Sequence, residues 1–299
     1  MICSFSVCFA YAIPRIDQLA SQSKLKDKTG AIVTVADPCY QDWRKSDMYN
    51  EIIADIVMLN NLLAEIHELD DPDYGSHGWQ KCTHTEKKKT WCRPVPGSSA
   101  VEVACDCIIN THIFKPLSLF AEVDLYAKWI PRLSYCGVEK SFSRFRKTVQ
   151  CVANFPWPFN DREGICHGYG TALPDQNAVI VVLRSISNNS ATKEYMGCKF
   201  PEPRSKKNVK LIVNYGCMYF RFIDENTTLF RGIFNSDPNM RLVPQFLINF
   251  AIKKVVYAML GIIQDRCGKF EGTEFEKRVK ENTYLYDEIR RRLNFTIKK

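Results

Sequence analysis

Between Val243 and Ile263 the chain is apolar almost without relief, yet Lys253 and Lys254 stand at its middle. A membrane-spanning helix would place both ammonium groups near the bilayer centre, at roughly 2.5–3.5 kcal/mol each. The segment is therefore read as a helix of a globular domain. Its polar residues Gln245, Asn249 and Lys253 recur four apart as a narrow stripe, while Phe246, Leu247, Phe250, Tyr257, Leu260 and Ile263 cover the remainder. Such a helix must be enclosed by protein over most of its surface. Pro244 suits its first position, where the missing amide hydrogen costs nothing.

What precedes it supplies the enclosure. Ile52, Ile53, Ile56, Leu59, Leu63 and Ile66 recur at helical steps behind Ser46 or Asp47 as cap, and Asp70-Asp71-Pro72-Asp73 ends that helix. The period then changes to two. Short strands are expected at Trp79–Thr85, Lys89–Arg93 and Val101–Asn110, followed by a helical stretch from Phe114 to Trp129. Six more strands are read over Ser134–Phe142, Phe145–Asn154, Gly164–Ala172, Val179–Ser187, Val209–Ile223 and Thr228–Asn235. A last helix covers Thr273–Leu293 and carries Arg290, Arg291 and Arg292 near its end.

This order is α+β, with one antiparallel sheet that must curve to grip a long C-terminal helix. The space between sheet and helix would be lined by Phe, Tyr, Ile, Leu and Met, and suits one apolar ligand. With 45% hydrophobic and 25% charged residues in 299, the chain has ordinary globular composition, which excludes a disordered or multi-span membrane protein. Thirteen cysteines, an odd number set mostly in apolar runs, read as reduced, buried side chains rather than a disulfide framework. Cys105 and Cys107, or Cys82 with His84, lack a second pair at zinc-site spacing, so no metal is expected. Met1–Ala12 has an apolar run and a small-x-small site but no basic flank and too little length for a signal peptide; a cytoplasmic protein is expected.

Particular segments carry a family likeness. Pro156-Trp-Pro-Phe-Asn-Asp-Arg-Glu163 is a Pro-containing turn leading to an Arg–acidic pair at a strand start, and Ile180-Val-Val-Leu-Arg-Ser185 is the strand after it. Asn235-Ser-Asp-Pro-Asn-Met-Arg-Leu-Val-Pro-Gln-Phe-Leu-Ile-Asn249 joins an Asp-Pro turn to a hydrophobic-Pro step and a helix start, and Leu125-Tyr-Ala-Lys-Trp129 places a Trp after the middle helix. Together they resemble the StAR-related lipid transfer (START) domain over Asp47 to Cys267. Glu163 stands where that family more often has Asp, and the tail past Cys267 has no counterpart in a minimal domain. The resemblance implies a helix-grip fold with an internal cavity. It divides the chain into an extension (1–46), a START-like lipid-binding domain (47–267) and a basic helical tail (268–299).

Candidate ligand contacts follow. Arg162 and Arg184 are charges at or within apolar strands and want a partner or a ligand; a turn-side ion pair for the first and solvation for the second are the alternatives. Trp129 is a ligand contact or a core anchor. Phe246, Asn249, Phe250, Lys253 and Tyr257 fall on one side of the closing helix, where Asn249 can donate to and accept from a head group; core packing and a solvated stripe are the alternatives. No P-loop, GxGxxG or GxSxG occurs, and no cofactor is expected. His167, among Gly164, Gly168 and Gly170, is the best candidate for a general base, with a structural role preferred.

The expected function is therefore non-enzymatic: binding of one phospholipid, sterol or ceramide-type lipid and its transfer between membranes. An enzyme of cyclase or hydrolase type on the same architecture, and an interaction domain whose cavity is filled by its own side chains, are the alternatives. The net charge of +8 and the basic clusters at Lys199–Lys210 and Arg290–Lys299 suit peripheral contact with an anionic membrane; without a recognised module, no nucleic-acid partner is expected.

Overall fold

The computed structural model describes residues 44–71, 78–98, 100–186, 198–240 and 243–293, with shorter pieces at 25–26, 32–34, 36, 41–42, 74, 194–196 and 295. The segment Met1–Ala12 lies outside the described residues. The domain opens with α1 (Asp47–Glu68), whose first turn is capped by the Ser46 side chain accepting from the Tyr49 amide. Three strands follow, β1 (Gln80–His84), β2 (Lys88–Pro94) and β3 (Val101–Ile109). Next come α2 (Phe114–Ala121) and a 3₁₀ turn over Val123–Lys128. The meander continues through β4 (Leu133–Ser143), β5 (Arg146–Ala153), β6 (Arg162–Leu173), β7 (Ala178–Ser185), β8 (Ile212–Asp224) and β9 (Thr227–Asp237). The chain ends in α3 (Gln245–Gly268), α4 (Glu274–Glu281) and α5 (Thr283–Arg292).

These strands form one sheet in the order β1-β2-β3-β9-β8-β7-β6-β5-β4, with the two-residue piece Val209–Lys210 parallel to the start of β6. All the other pairings in it are antiparallel, and the one long-range step joins β3 to β9. Register shifts in β4 and β8 add residues to one strand of a pair, which bends the sheet. The helix, the three strands, the helical insertion, the six strands and the closing helix thus stand as the sequence periodicities predict.

The middle of the sheet is buried on both faces. Against the outer face, α1 sets Leu59, Leu62 and Ile66 over Tyr169, Ile180 and Val182. Against the inner face, α2 to α5 pack Leu117, Leu260, Ile263, Phe275, Tyr286 and Ile289 around Phe220 and Phe230. The helix seam of α1 runs Tyr49, Ile52, Asp55, Leu59, Leu62, Ile66 and Leu69, all buried, so Ile53, Ile56 and Leu63 are flanks rather than its centre.

Four expectations are corrected. Pro244 is the cap of α3 rather than its first residue. The sheet covers α3 along one seam, Ile248, Ile252, Val256, Leu260, Ile263 and Cys267, and leaves Leu247, Phe250, Val255 and Tyr257 exposed, so this helix is not enclosed on nearly every side. The reason is that the last segment is not an appended helix: it breaks at Asn282 into α4 and α5, which fold back and occupy the inner face beside α2. Finally, Cys136 and Cys151 face each other in register across β4 and β5, with Cα atoms 4.2 Å apart, and are joined as a disulfide, against the expectation of reduced cysteines throughout. No helix among the described residues is long and apolar enough to cross a membrane.

Candidate functional site

Along β6 the inward positions are Gly164, Cys166, Gly168 and Gly170. Side chains of that size cannot fill the concavity of a curved sheet. A cavity of about 250 Å³ remains between β5, β6 and β7 below and α2, the 3₁₀ turn and α5 above. Its lining is almost wholly apolar. On β5 the inward positions Lys147, Val149 and Cys151 are half-buried while their outward neighbours Arg146, Thr148 and Gln150 are buried, the reverse of a filled core. Burial pushes the Cys166 thiol up to about 11, only partly offset by Ser185, so it lines the cavity as a neutral, weakly polar group.

The roof is α5, through Leu285 and Ile289. It is fixed at the α2 end by Glu122, a buried carboxylate that accepts from the Tyr286 hydroxyl at 2.8 Å and from Arg278 at 3.2 Å. At the other side Arg144, in the turn between β4 and β5, reaches Glu288 at 3.3 Å and lies 3.9 Å from the centroid of the Tyr284 ring.

One end of the cavity is cationic, with Arg144 and Lys147; the other is Cys151, Leu211 and Val213. Lys147 and Cys151 are four steps apart along β5, about 13 Å.

A second polar cluster lies on the opposite face of the sheet. Asp55 of α1 meets Arg146 at 2.6 Å and His167 Nε2 at 3.1 Å, and Arg184 joins them from β7 at 3.2 Å. His167 is 0% exposed. Burial would raise the Asp55 carboxyl, but the His167 hydrogen bond and the charges of Arg146 and Arg184 outweigh it and hold the group below its ordinary value. Burial lowers His167, and the Asp55 contact offsets this only in part, so the imidazole is neutral at pH 7. The cluster ties α1 to the sheet.

The expected ligand residues whose side chains are described fall elsewhere than the cavity wall. Trp129, 4% exposed, stands edge-on to Phe120, whose ring lines the cavity, so it is one layer behind. Arg162 donates to the Pro238 carbonyl at 2.6 Å and to that of Asn160, a structural role at the strand start. Glu163, adjacent and on the other face, accepts from Gln150, Asn208 and the Arg204 amide, and so anchors the Lys-rich loop. Arg184 alternates with inward Leu183 and faces α1, where Glu51 and Asp55 receive it together with Tyr195 of the two-residue strand Glu194–Tyr195. Phe250 and Tyr257 are 57% and 44% exposed, and Lys253 lies beside the Cys92 thiol. The side chains of Phe246 and Asn249 lie outside the described residues. Sequence reading missed Arg144 and Lys147, though strict alternation from Phe145 marks Lys147 as a charge on an otherwise apolar face.

No family model matches the sequence, and no curated protein is similar to it by sequence. Solved structures do match. Human STARD10 superposes with a TM-score of 0.57 at 13% identity, over 71% of this chain and 82% of that one. Human StAR-related lipid transfer protein 5 gives 0.56 at 12% identity, over 72% and 97%. The lipid transfer and protein localization domain of human StarD13 (DLC2) gives 0.51 at 12%, over 67% and 95%.

Proposed function

We propose that this chain, which has the helix-grip fold of START domains, binds one lipid in the cavity between β5–β7 and α5 and carries it between membranes as a peripheral protein of the cytoplasm. The observation that carries the reading is the apolar cavity itself, floored by the glycine and cysteine face of β6. A floor of such small residues leaves an apolar space suited to a bound molecule.

The reading assigns no catalytic task. What supports this is the position of His167, sealed beneath α1 on the face of β6 away from the cavity. Contact with membranes is supported by two neighbouring features. Trp157 is 92% exposed in the turn before β6, and the loop Lys199–Lys210, with exposed Lys206, Lys207 and Lys210, runs beside it, where the Val209 amide bonds the Asp161 carbonyl at 2.8 Å. An indole and several lysines at one tip suit an anionic interface.

The test is native mass spectrometry of protein purified from its own cells, followed by transfer of a fluorescent lipid between vesicles. One lipid per chain and a protein-dependent transfer rate are expected. A delipidated chain that takes up no phospholipid, sterol, ceramide or fatty acid would leave the domain as an interaction module with a closed core.

A further inference from the structure

Resting on the cavity reading, we infer that the ligand is a single-chain amphiphile with a monoanionic carboxylate head, held by Lys147 with its chain directed toward Leu211. Among the described residues that line the cavity there is no Asp or Glu, and both cations, Arg144 and Lys147, stand at the same end. The two differ in how they are balanced. Arg144 is paired with Glu288, which also takes Arg291 and Arg292. Arg144 therefore comes with a carboxylate of its own. Lys147 is half-buried as a residue; its ammonium donates to the Ala121 carbonyl at 3.3 Å, and no carboxylate pairs with it among the described residues. A charge facing an apolar space is stabilised by an opposite charge brought in with the ligand.

Size and charge narrow the class. About 250 Å³ is below the roughly 300–1,000 Å³ of most small-molecule sites, which favours one chain over two. One ammonium without a carboxylate of its own matches one negative charge, as on a fatty acid, better than the two of a phosphate monoester. The far end, Cys151, Leu211 and Val213, offers apolar surface for the chain.

The experiment titrates the delipidated full chain with oleic acid, oleyl alcohol and oleoyl lysophosphatidic acid, and repeats it with Lys147→Gln and Lys147→Arg. Oleate should bind at least tenfold tighter than the alcohol, as a charge-assisted hydrogen bond allows. Lys147→Gln should bring oleate down to the level of the alcohol, and Lys147→Arg should keep the preference, which separates loss of charge from loss of fold. Equal binding of acid and alcohol overturns the anionic head while the cavity reading stands. A tenfold preference for the lysophosphatidate overturns the carboxylate. Failure of all three ligands in a chain that still takes up a sterol or a two-chain lipid overturns the single-chain head and tail while the cavity reading stands, and failure of every lipid overturns both.

Discussion

Arg144 and Glu288 lie 144 residues apart in sequence and 3.3 Å apart in space, and their pairing fastens the roof of the cavity to the turn that forms its cationic rim. Tyr284 adds a second hold, since the guanidinium lies over its ring. The proposed lid is therefore α5. Opening it breaks the rim ion pair, the ring contact and the Tyr286–Glu122 hydrogen bond, and exposes Leu285, Tyr286 and Ile289.

Removing the ring should loosen that hold. Tyr284 is exposed, so Tyr284→Ala is expected to cost no more than about 1 kcal/mol of stability. Ligand exchange between vesicles should quicken several-fold in a stopped-flow assay with unchanged equilibrium occupancy. An unaltered exchange rate would move the opening to another element.

The floor can be raised without disturbing the sheet. A Cβ at Gly168 would find its nearest atoms at 3.9 Å, whereas at Gly170 it would lie 2.8 Å from the Ile180 carbonyl. Gly168→Leu should abolish ligand uptake and keep the melting temperature. Gly170→Leu should lose stability by roughly 1–3 kcal/mol, as overpacking does. Uptake by a stable Gly168→Leu protein would place the ligand outside this cavity.

Legibility in the sequence followed the nature of each signal. The succession of strands along the chain and the positions of α1 and α3 were readable because alternation and helical spacing are local, and the Asp-Pro and Pro-Trp-Pro turns mark where they stop; the pairing of β3 with β9 is long-range and was not. The face of α3 was not, because an almost uniformly apolar helix carries no phase: Ile248, Ile252 and Val256 turned inward instead of Phe250, Lys253 and Tyr257. Asp55 was hidden for the opposite reason. It sits in an apolar seam between Ile52 and Leu59, and its partners Arg146, His167 and Arg184 come from three strands about a hundred residues later.

That cluster gives the protein a pH dependence. Burial holds His167 below its ordinary 6.5, so as pH falls the unfolded chain takes up this proton first and stability declines from neutral pH through 6.5 until the folded-state value is passed. Asp55 acts in a lower window: its folded carboxyl lies below 3.8, its contribution is complete at neutral pH, and it is lost only as pH falls below about 4. Urea unfolding at about pH 7.5 and 5.5 should show a smaller decline for His167→Gln than for the parent. Equal declines would assign the effect to other groups, such as His112, which burial also lowers.

Asp55→Ala is the harsher change. It removes the carboxylate that Arg146 meets at 2.6 Å in a buried site, and should cost about 3–5 kcal/mol. Calorimetry of the variant against Glu51→Ala, whose carboxylate is more exposed, checks the difference.

Membrane contact is testable apart from the cavity. Trp157→Ala combined with Lys206→Ala, Lys207→Ala and Lys210→Ala should weaken binding to anionic vesicles strongly, since each basic residue near such a surface contributes about 1 kcal/mol. Affinity for oleate in solution should not change. Vesicle binding that ignores both these substitutions and added salt would remove the tip from the docking surface.

The pairing of β3 with β9, in which Ile109 meets Thr228 and Val101 meets Ser236, also bears on how the protein is made. At roughly 5–20 residues per second the ribosome delivers β9 on the order of ten seconds after β3. During that interval the apolar β3 edge, from Val101 through Val103, Cys105 and Cys107, has no native neighbour on one side and is open to pairing with other nascent chains. Recovery of folded protein is therefore expected to respond more to chaperone supply during translation than to substitutions that stabilise the finished domain. Ribosome-bound chains arrested before Thr227 should be cut by protease within β3, and completed chains should not.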